Sequence, residues 1–257
     1  MPFWPAGKAM WLRAVRGEEV SVQRTPVKRA AVKRAAARPA PLKPTPLKRR
    51  AADVAYDRIE ALISTLQIEP GSPVVEAELA ARIGLGRTPV REALMRMVSI
   101  GLVQQQPRRG LSVSAIGVLD HLDLIQTRRA LERVIAASAA RRATAAQRQA
   151  IVSHAQHMLD AAAAADLSTY MAADQALDHV IHQACRNHSA VKAVVPLVVQ
   201  CRRFWVAYQH EGDIVEGAHC HMLLAQGIHS ADEARAVDGV TQLMDCLERF
   251  ARRVIAA

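Results

Sequence analysis

Along the chain the spacing of apolar positions changes twice. From Ala51 onward, Val54, Ile59, Leu62, Ile63 and Leu66 recur at helical intervals, which predicts a first helix with one buried face. Glu69-Pro70-Gly71-Ser72-Pro73 closes it with turn chemistry. A short second helix is expected from about Glu76 to Ile83, burying Leu79, Ala80 and Ile83, with Gly84 suited to the left-handed position past its end. A third is expected to start with Thr88 as cap and Pro89 in first position, turning Val90, Leu94 and Met97 inward. The pattern then becomes strand-like: Leu102–Gln106 and Leu111–Val113 read as two strands around a turn at Pro107-Arg108-Arg109-Gly110. Three helices plus a hairpin make a winged helix-turn-helix.

From about Ala115 to Ala257 the spacing stays helical. Helices are expected near 117–142, 145–164, 167–186, 189–210, 214–229 and 231–256. The breaks fall at Ala143-Thr144, Asp166-Leu167-Ser168, Asn187-His188, Glu211-Gly212-Asp213 and His229-Ser230, and Pro196 is expected to kink the fourth of these helices or mark its start. The fold class is therefore mainly α: a winged helix-turn-helix over 51–114, then an all-α bundle of about six helices over 115–257 with room for an internal pocket. Residues 1–50 mix prolines with like charges and are expected to be a disordered basic tail.

Composition adds limits. Apolar residues make up 51% of the chain but aromatics only 4%, so the cores are aliphatic and alanine-rich. No apolar run approaches the roughly 20 residues of a membrane span, and the start is a poor signal peptide, so a cytoplasmic protein with no membrane partner is expected. Cys185, Cys201, Cys220 and Cys246 are scattered without a CxxC pair and read as reduced core thiols.

The net charge of +10 is unevenly placed. Residues 1–50 hold 13 Lys and Arg against Glu18 and Glu19, whereas the remainder is close to neutral at −1. Against that neutral background, Arg87, Arg91, Arg96, Arg108 and Arg109 fall between 87 and 110 with Glu92 as the one acid. Arg87 and Arg91 are four apart and share the helix face opposite Val90 and Leu94. Arginine grips a guanine edge bidentately or clamps a phosphate. Arg108 and Arg109 at the hairpin tip would reach the minor groove or backbone, and Gly110 lets the turn approach closely.

The run Arg87-Thr88-Pro89-Val90-Arg91-Glu92-Ala93-Leu94 resembles the hallmark of the GntR family of bacterial transcription regulators. Leu79-Ala80 before it and Ile100-Gly101-Leu102-Val103 after it continue the resemblance, and Gly86 departs from the usual Ser or Thr. The resemblance implies DNA contacts at Arg87, Thr88, Arg91, Arg96 and Gly110. Arg108 and Arg109 are added from charge alone. The helical half resembles the FadR-like branch with its FCD ligand domain, through Arg128-Arg129-Ala130-Leu131-Glu132, Asp174 with Leu177 and Asn187, and His221 eleven residues before Asp232.

Many such domains hold a divalent metal. By the resemblance its ligands would be Asp174, position 178, His221 and position 243, but position 178 is Asp rather than His and position 243 is Leu, which cannot ligate. A shifted set of Asp174, Asp178, His182 and His221 is chemically adequate for Zn²⁺ or Mn²⁺. The plain alternative is a helix surface carrying acids and histidines. For the effector, Arg128 points into the pocket by its family position, where a metabolite carboxylate is the natural partner and a salt bridge to Glu132 the rival reading. Of Arg202 and Arg203, one is expected in the cavity and the other in solvent, with Trp205 as pocket wall or core filler.

These features predict a homodimeric regulator that reads a short palindromic operator in double-stranded DNA and responds to a small-molecule effector. The resemblance implies a repressor more often than an activator, and the sequence itself does not decide between them. It is not expected to be an enzyme. A non-specific architectural protein run by the basic tail is the alternative, and a metal-dependent enzyme a weaker one that leaves the winged region unexplained.

Overall fold

The computed structural model describes residues 50–108, 110–210 and 213–257. The expected basic tail and the break at Glu211-Gly212 lie outside the described residues. The elements run α1 (Ala51–Ser64), β1 (Pro73–Val74), α2 (Glu76–Ile83), α3 (Arg87–Ser99), β2 (Val103–Gln106), β3 (Gly110–Val113), α4 (His121–Arg142), α5 (Ala145–Ala163), α6 (Leu167–Cys185), α7 (His188–Tyr208), α8 (Asp213–His229) and α9 (Glu233–Ala256).

In the winged unit, Ile59, Ile63, Val90, Ala93, Leu94 and Met97 close one core with no exposure. Gly84 ends α2 at φ 65°, ψ 37°, the left-handed geometry that glycine adopts without a Cβ penalty. The start of α3 differs from expectation. Its cap is Gly86, which offers no side-chain hydrogen bond, so Thr88 is not the cap and Pro89 stands third rather than first. A proline is tolerated there because the first four N–H groups of a helix have no intrahelical acceptor.

The sheet has three strands in the order β1-β3-β2, all antiparallel, with Pro73 opposite Ser112 and Val103 opposite Val113. The additional strand β1 is two residues long. That is too short to show an alternation, and its proline suits an edge, where a ladder donor is not needed.

Six helices form the bundle. Its breaks are mostly capping sites. Thr144 and Gln147 make a reciprocal capping box, and Asp166, Asn187 and Asp232 accept from the backbone N–H of Thr169, Ala190 and Arg235. The first bundle helix starts at His121, four residues later than expected, leaving Gly117 in the linker rather than at a helical cost. Pro196 lies inside α7 and does not mark its start.

Helices α8 and α9 cross through glycines. A Cβ on Gly239 would lie 2.7 Å from the Leu224 Cα, and one on Gly227 would lie 2.5 Å from the Ala236 nitrogen. The obstacles are backbone, so they cannot swing aside. Gly239→Ala is expected to destabilise by about 1–3 kcal/mol through overpacking. Thermal denaturation checks this, and an unchanged melting temperature would show that the helices part freely.

One helix belongs to both cores. Val199 of α7 packs in the winged unit's hydrophobic cluster, while Val194, Val198 and Phe204 of the same helix lie in the bundle's.

Candidate nucleic-acid interface and effector cavity

The buried face of α3 fixes which residues face outward. With Val90, Ala93, Leu94 and Met97 inside, Arg87, Thr88, Arg91 and Glu92 stand exposed. Thr88 and Glu92 lie opposite the buried face. Arg87 and Arg91, three or four residues from Val90 and Leu94, flank that face, contrary to the expectation that they oppose it. Arg91, with 68% of its side chain exposed, forks onto Glu76 at the start of α2: Nε donates to both carboxylate oxygens at 3.0 Å and Nη2 to Oε2 at 2.9 Å. The hydrogen bond and charge of Arg91 hold the Glu76 carboxyl below its ordinary pKa. Such a pair at the surface is screened by salt and solvent, so a phosphate or base edge can replace the carboxylate at little cost.

Arg96 is placed differently. Its Nη1 donates to Asp53 of α1 at 2.8 Å and its guanidinium lies 4.4 Å above the Tyr56 ring. It is half exposed, and its charge pairs with α1 in the free protein. At the wing, Arg108 takes a left-handed φ of 64° and Gly110 one of 81°, and both are exposed. Arg109 lies outside the described residues.

Within the bundle a cavity of about 50 Å³ opens between α4, α6, α7, α8 and α9. Its apolar walls are Met171, Val198, Leu243, Leu247 and the rings of Tyr170, Trp205 and Phe250. Trp205 is both wall and core, 8% exposed and stacked on Tyr170 at 5.5 Å. Gly217 admits the Tyr170 hydroxyl, which a Cβ would meet at 2.6 Å.

Arg128 lines this cavity, and its Nε donates to Glu132 at 3.0 Å, with both side chains buried. Burial works against its charge, but Glu132 and the Cys201 thiol outweigh burial and raise its pKa. Arg128 thus lines the cavity and also makes the expected salt bridge to Glu132.

Arg202 also lines the cavity and is saturated by carboxylates. Nε donates to Asp174 at 2.6 Å, Nη2 to Asp178 at 2.8 Å and Nη1 to Glu60 of α1 at 2.9 Å. Asp174 lies 3.2 Å from His221 Nε2, and His221 Nδ1 is 2.7 Å from the Gly217 carbonyl oxygen. Burial would raise the Asp174 pKa, but Arg202 and His221 reverse this and hold it below the usual range. At Glu60 burial prevails over Arg202, and the carboxyl is pushed up to about 7.

Arg203 is neither in the cavity nor in solvent. It is fully buried and donates to the Ser114 carbonyl and hydroxyl at the end of the wing and to Gln200. Burial lowers its pKa to about 10. The expectation of one solvated arginine fails because α7 runs beneath the winged unit on that side. His182 is only partly buried and does not line the cavity with Asp174, Asp178 and His221. Among the described residues, no three or more His, Cys, Asp or Glu are grouped to hold a metal ion.

The sequence reading missed Glu60 and Ser114. Glu60 carried a signal: an acid among Tyr56, Ile59 and Ile63 on a buried helix face requires a partner. Nothing marked Ser114. All four cysteines are buried and free. Among the described residues, no helix is long and apolar enough to cross a membrane.

Residues 51–113 match the family of bacterial regulatory proteins named gntR, and residues 123–245 match the FCD domain. An uncharacterized HTH-type transcriptional regulator in an unstable DNA locus of Streptomyces ambofaciens is 43% identical over 61 residues, covering 24% of this chain and 26% of that protein. A probable D-xylose utilization operon transcriptional repressor of Paenarthrobacter nicotinovorans is 23% identical over 171 residues, covering 66% of this chain and 75% of that one. The chain thus spans about a quarter of the length of the first of these relatives and three quarters of the second. Among solved structures, E. coli McbR/YncC superposes with a TM-score of 0.63 at 18% identity, covering 81% of this chain and 97% of that one, which is likeness of fold.

Proposed function

The chain belongs to the GntR family of bacterial regulatory proteins, with an FCD domain as its C-terminal half, and from this premise we propose that it is a dimeric repressor reading a palindromic operator under the control of a small carboxylate. It is a transcription regulator and not an enzyme. The observation that carries the DNA reading is that Arg87, Thr88 and Arg91 of α3 stand exposed, as do Arg108 and Gly110 of the wing. A two-fold axis would set two such helices on equivalent half-sites.

For the effector, Arg128 is the anchor for a carboxylate, which would share the guanidinium with Glu132, and Trp205 and Phe250 offer the apolar wall. Arg202 orders the cavity, and Arg203 ties it to the wing. The cavity of about 50 Å³ is smaller than a metabolite requires; an engineered cavity of about 150 Å³ holds only benzene. An effector therefore has to part the lining helices. One of them is α7, whose Arg202 and Arg203 reach Glu60 and Ser114 of the winged unit. A cleft of about 270 Å³ is lined by Gln104 and Ser114 of the winged unit and by Asp120, His121 and Leu124 of the linker and α4. Operator affinity then changes by as much as the effector prefers one arrangement over the other.

Selection of bound sequences from random duplexes tests the first part. Enrichment of a two-fold symmetric motif is the expected result, and binding without enrichment would favour a non-specific protein. For the second part, a small-carboxylate screen by thermal shift should find a stabilising ligand for the wild type whose effect is lost in Arg128→Met. A stabilising carboxylate that acts equally on the variant would remove Arg128 from recognition.

A further inference from the structure

The family resemblance implies a divalent cation at four positions of the effector domain, here Asp174, Asp178, His221 and Leu243. All four line the same cavity. The group that stands among them is a side chain. The Arg202 guanidinium meets Asp174 at 2.6 Å and Asp178 at 2.8 Å, and the second oxygen of Asp174 lies 3.2 Å from His221 Nε2. The three side chains of the ion pairs are 6%, 12% and 18% exposed, so little water competes.

These residues do not fit a metal. Leu243 has no donor atom, and each aspartate already accepts a charged hydrogen bond. An incoming cation would meet a resident positive charge fixed in the same place. Burial explains why that charge persists: Asp174 and Asp178 without a counter-ion would be costly, and Arg202 supplies one within the chain.

We propose that Arg202 is a built-in cation standing where a metal ion would otherwise sit, so that this effector site is complete without metal. The leucine at position 243 is then consistent with the rest, since with no ion to hold it serves as apolar wall beside Phe250. The site's positive charge is not exchangeable, and a chelator has nothing to remove. The metal measurement needs neither DNA nor effector, so its outcome is separate from that of the regulator reading.

The test uses full-length protein, stripped with a chelator, equilibrated with Zn²⁺ or Mn²⁺, desalted and assayed for retained metal. Wild type and Asp174→Asn are expected to retain the same amount, since histidines elsewhere contribute equally to both. Arg202→Ala/Leu243→His, which removes the guanidinium and restores a fourth donor, is expected to retain stoichiometric zinc and to melt at a higher temperature with zinc than without. Stoichiometric metal in the wild type that is lost in Asp174→Asn would overturn the proposal. A folded double variant that stays metal-free would overturn it as well. If the double variant does not fold, the comparison of wild type with Asp174→Asn decides alone.

Discussion

Arg87→Ala and Arg91→Ala are each expected to weaken operator binding by roughly 5–150-fold per half-site if they read base edges. Both are exposed at the flank of a buried face that Val90, Ala93, Leu94 and Met97 already seal, so truncation should leave the fold intact. Arg91 has a further consequence. In the free protein it is held by Glu76, and DNA has to displace that carboxylate. Glu76→Gln should therefore raise affinity for any duplex, because it removes both a competitor for Arg91 and a negative charge facing phosphates. Arg96→Ala should behave otherwise. Its partners are Asp53 and the Tyr56 ring, so its loss loosens α3 on α1 and lowers thermal stability. Fluorescence anisotropy on an operator and on a scrambled duplex across a salt series separates these roles. A loss on the operator alone marks a base reader. An equal loss on both, with the salt slope reduced by about one, marks a phosphate anchor. Arg87→Ala/Arg91→Ala binding both duplexes as wild type does would take α3 out of the interface.

What could be read in advance followed from how local each signal is. The helix from Arg87 declares itself through apolar spacing and charge, and the bundle breaks through residues such as Thr144 and Asn187 that cap the next helix a few positions on. The errors at Thr88 and Gly86 are also local: two residues compete to start a helix, and the backbone chose the glycine that makes no side-chain bond. Strand β1 escaped notice because its two residues pair with β3 nearly forty positions later. The ties that build the effector cavity are longer still. Glu60 and Arg202 are 142 residues apart, and Ser114 and Arg203 are 89 apart. A single chain shows that a buried-face acid and two adjacent arginines need partners, but tertiary packing alone decides which. That is why Arg202 and Arg203, neighbours in sequence, diverge: one turns into the cavity and one toward the wing.

Asp174→Leu is expected to destabilise the protein by about 3–5 kcal/mol, the usual result of removing one member of a buried ion pair. At about 2–4 °C per kcal/mol for a chain of this size, the melting temperature should fall on the order of 10 °C. Asp174 is the junction of the cluster, in contact with both Arg202 and His221. Its loss leaves His221 without that carboxylate, and leaves a guanidinium that is 6% exposed with Asp178 and a Glu60 whose charge burial disfavours. Glu60→Leu should cost far less. Burial already outweighs the attraction of Arg202 at that carboxyl, so its charge is held at a penalty that the substitution removes. The pH dependence has opposite signs at the two sites. Asp174, held below the ordinary carboxylate range, contributes stability that is present above its unfolded pKa near 3.8 and is lost as pH falls through the lower folded value. Glu60, raised from 4.5 to about 7, binds its proton more tightly when folded, so its contribution declines as pH rises across that window. Calorimetry at several pH values should show the Glu60 slope vanish in Glu60→Gln while the acid-side loss persists. An Asp174→Leu variant that melts with the wild type would mean that Asp178 and Glu60 suffice to neutralise Arg202, and that the cluster has no junction.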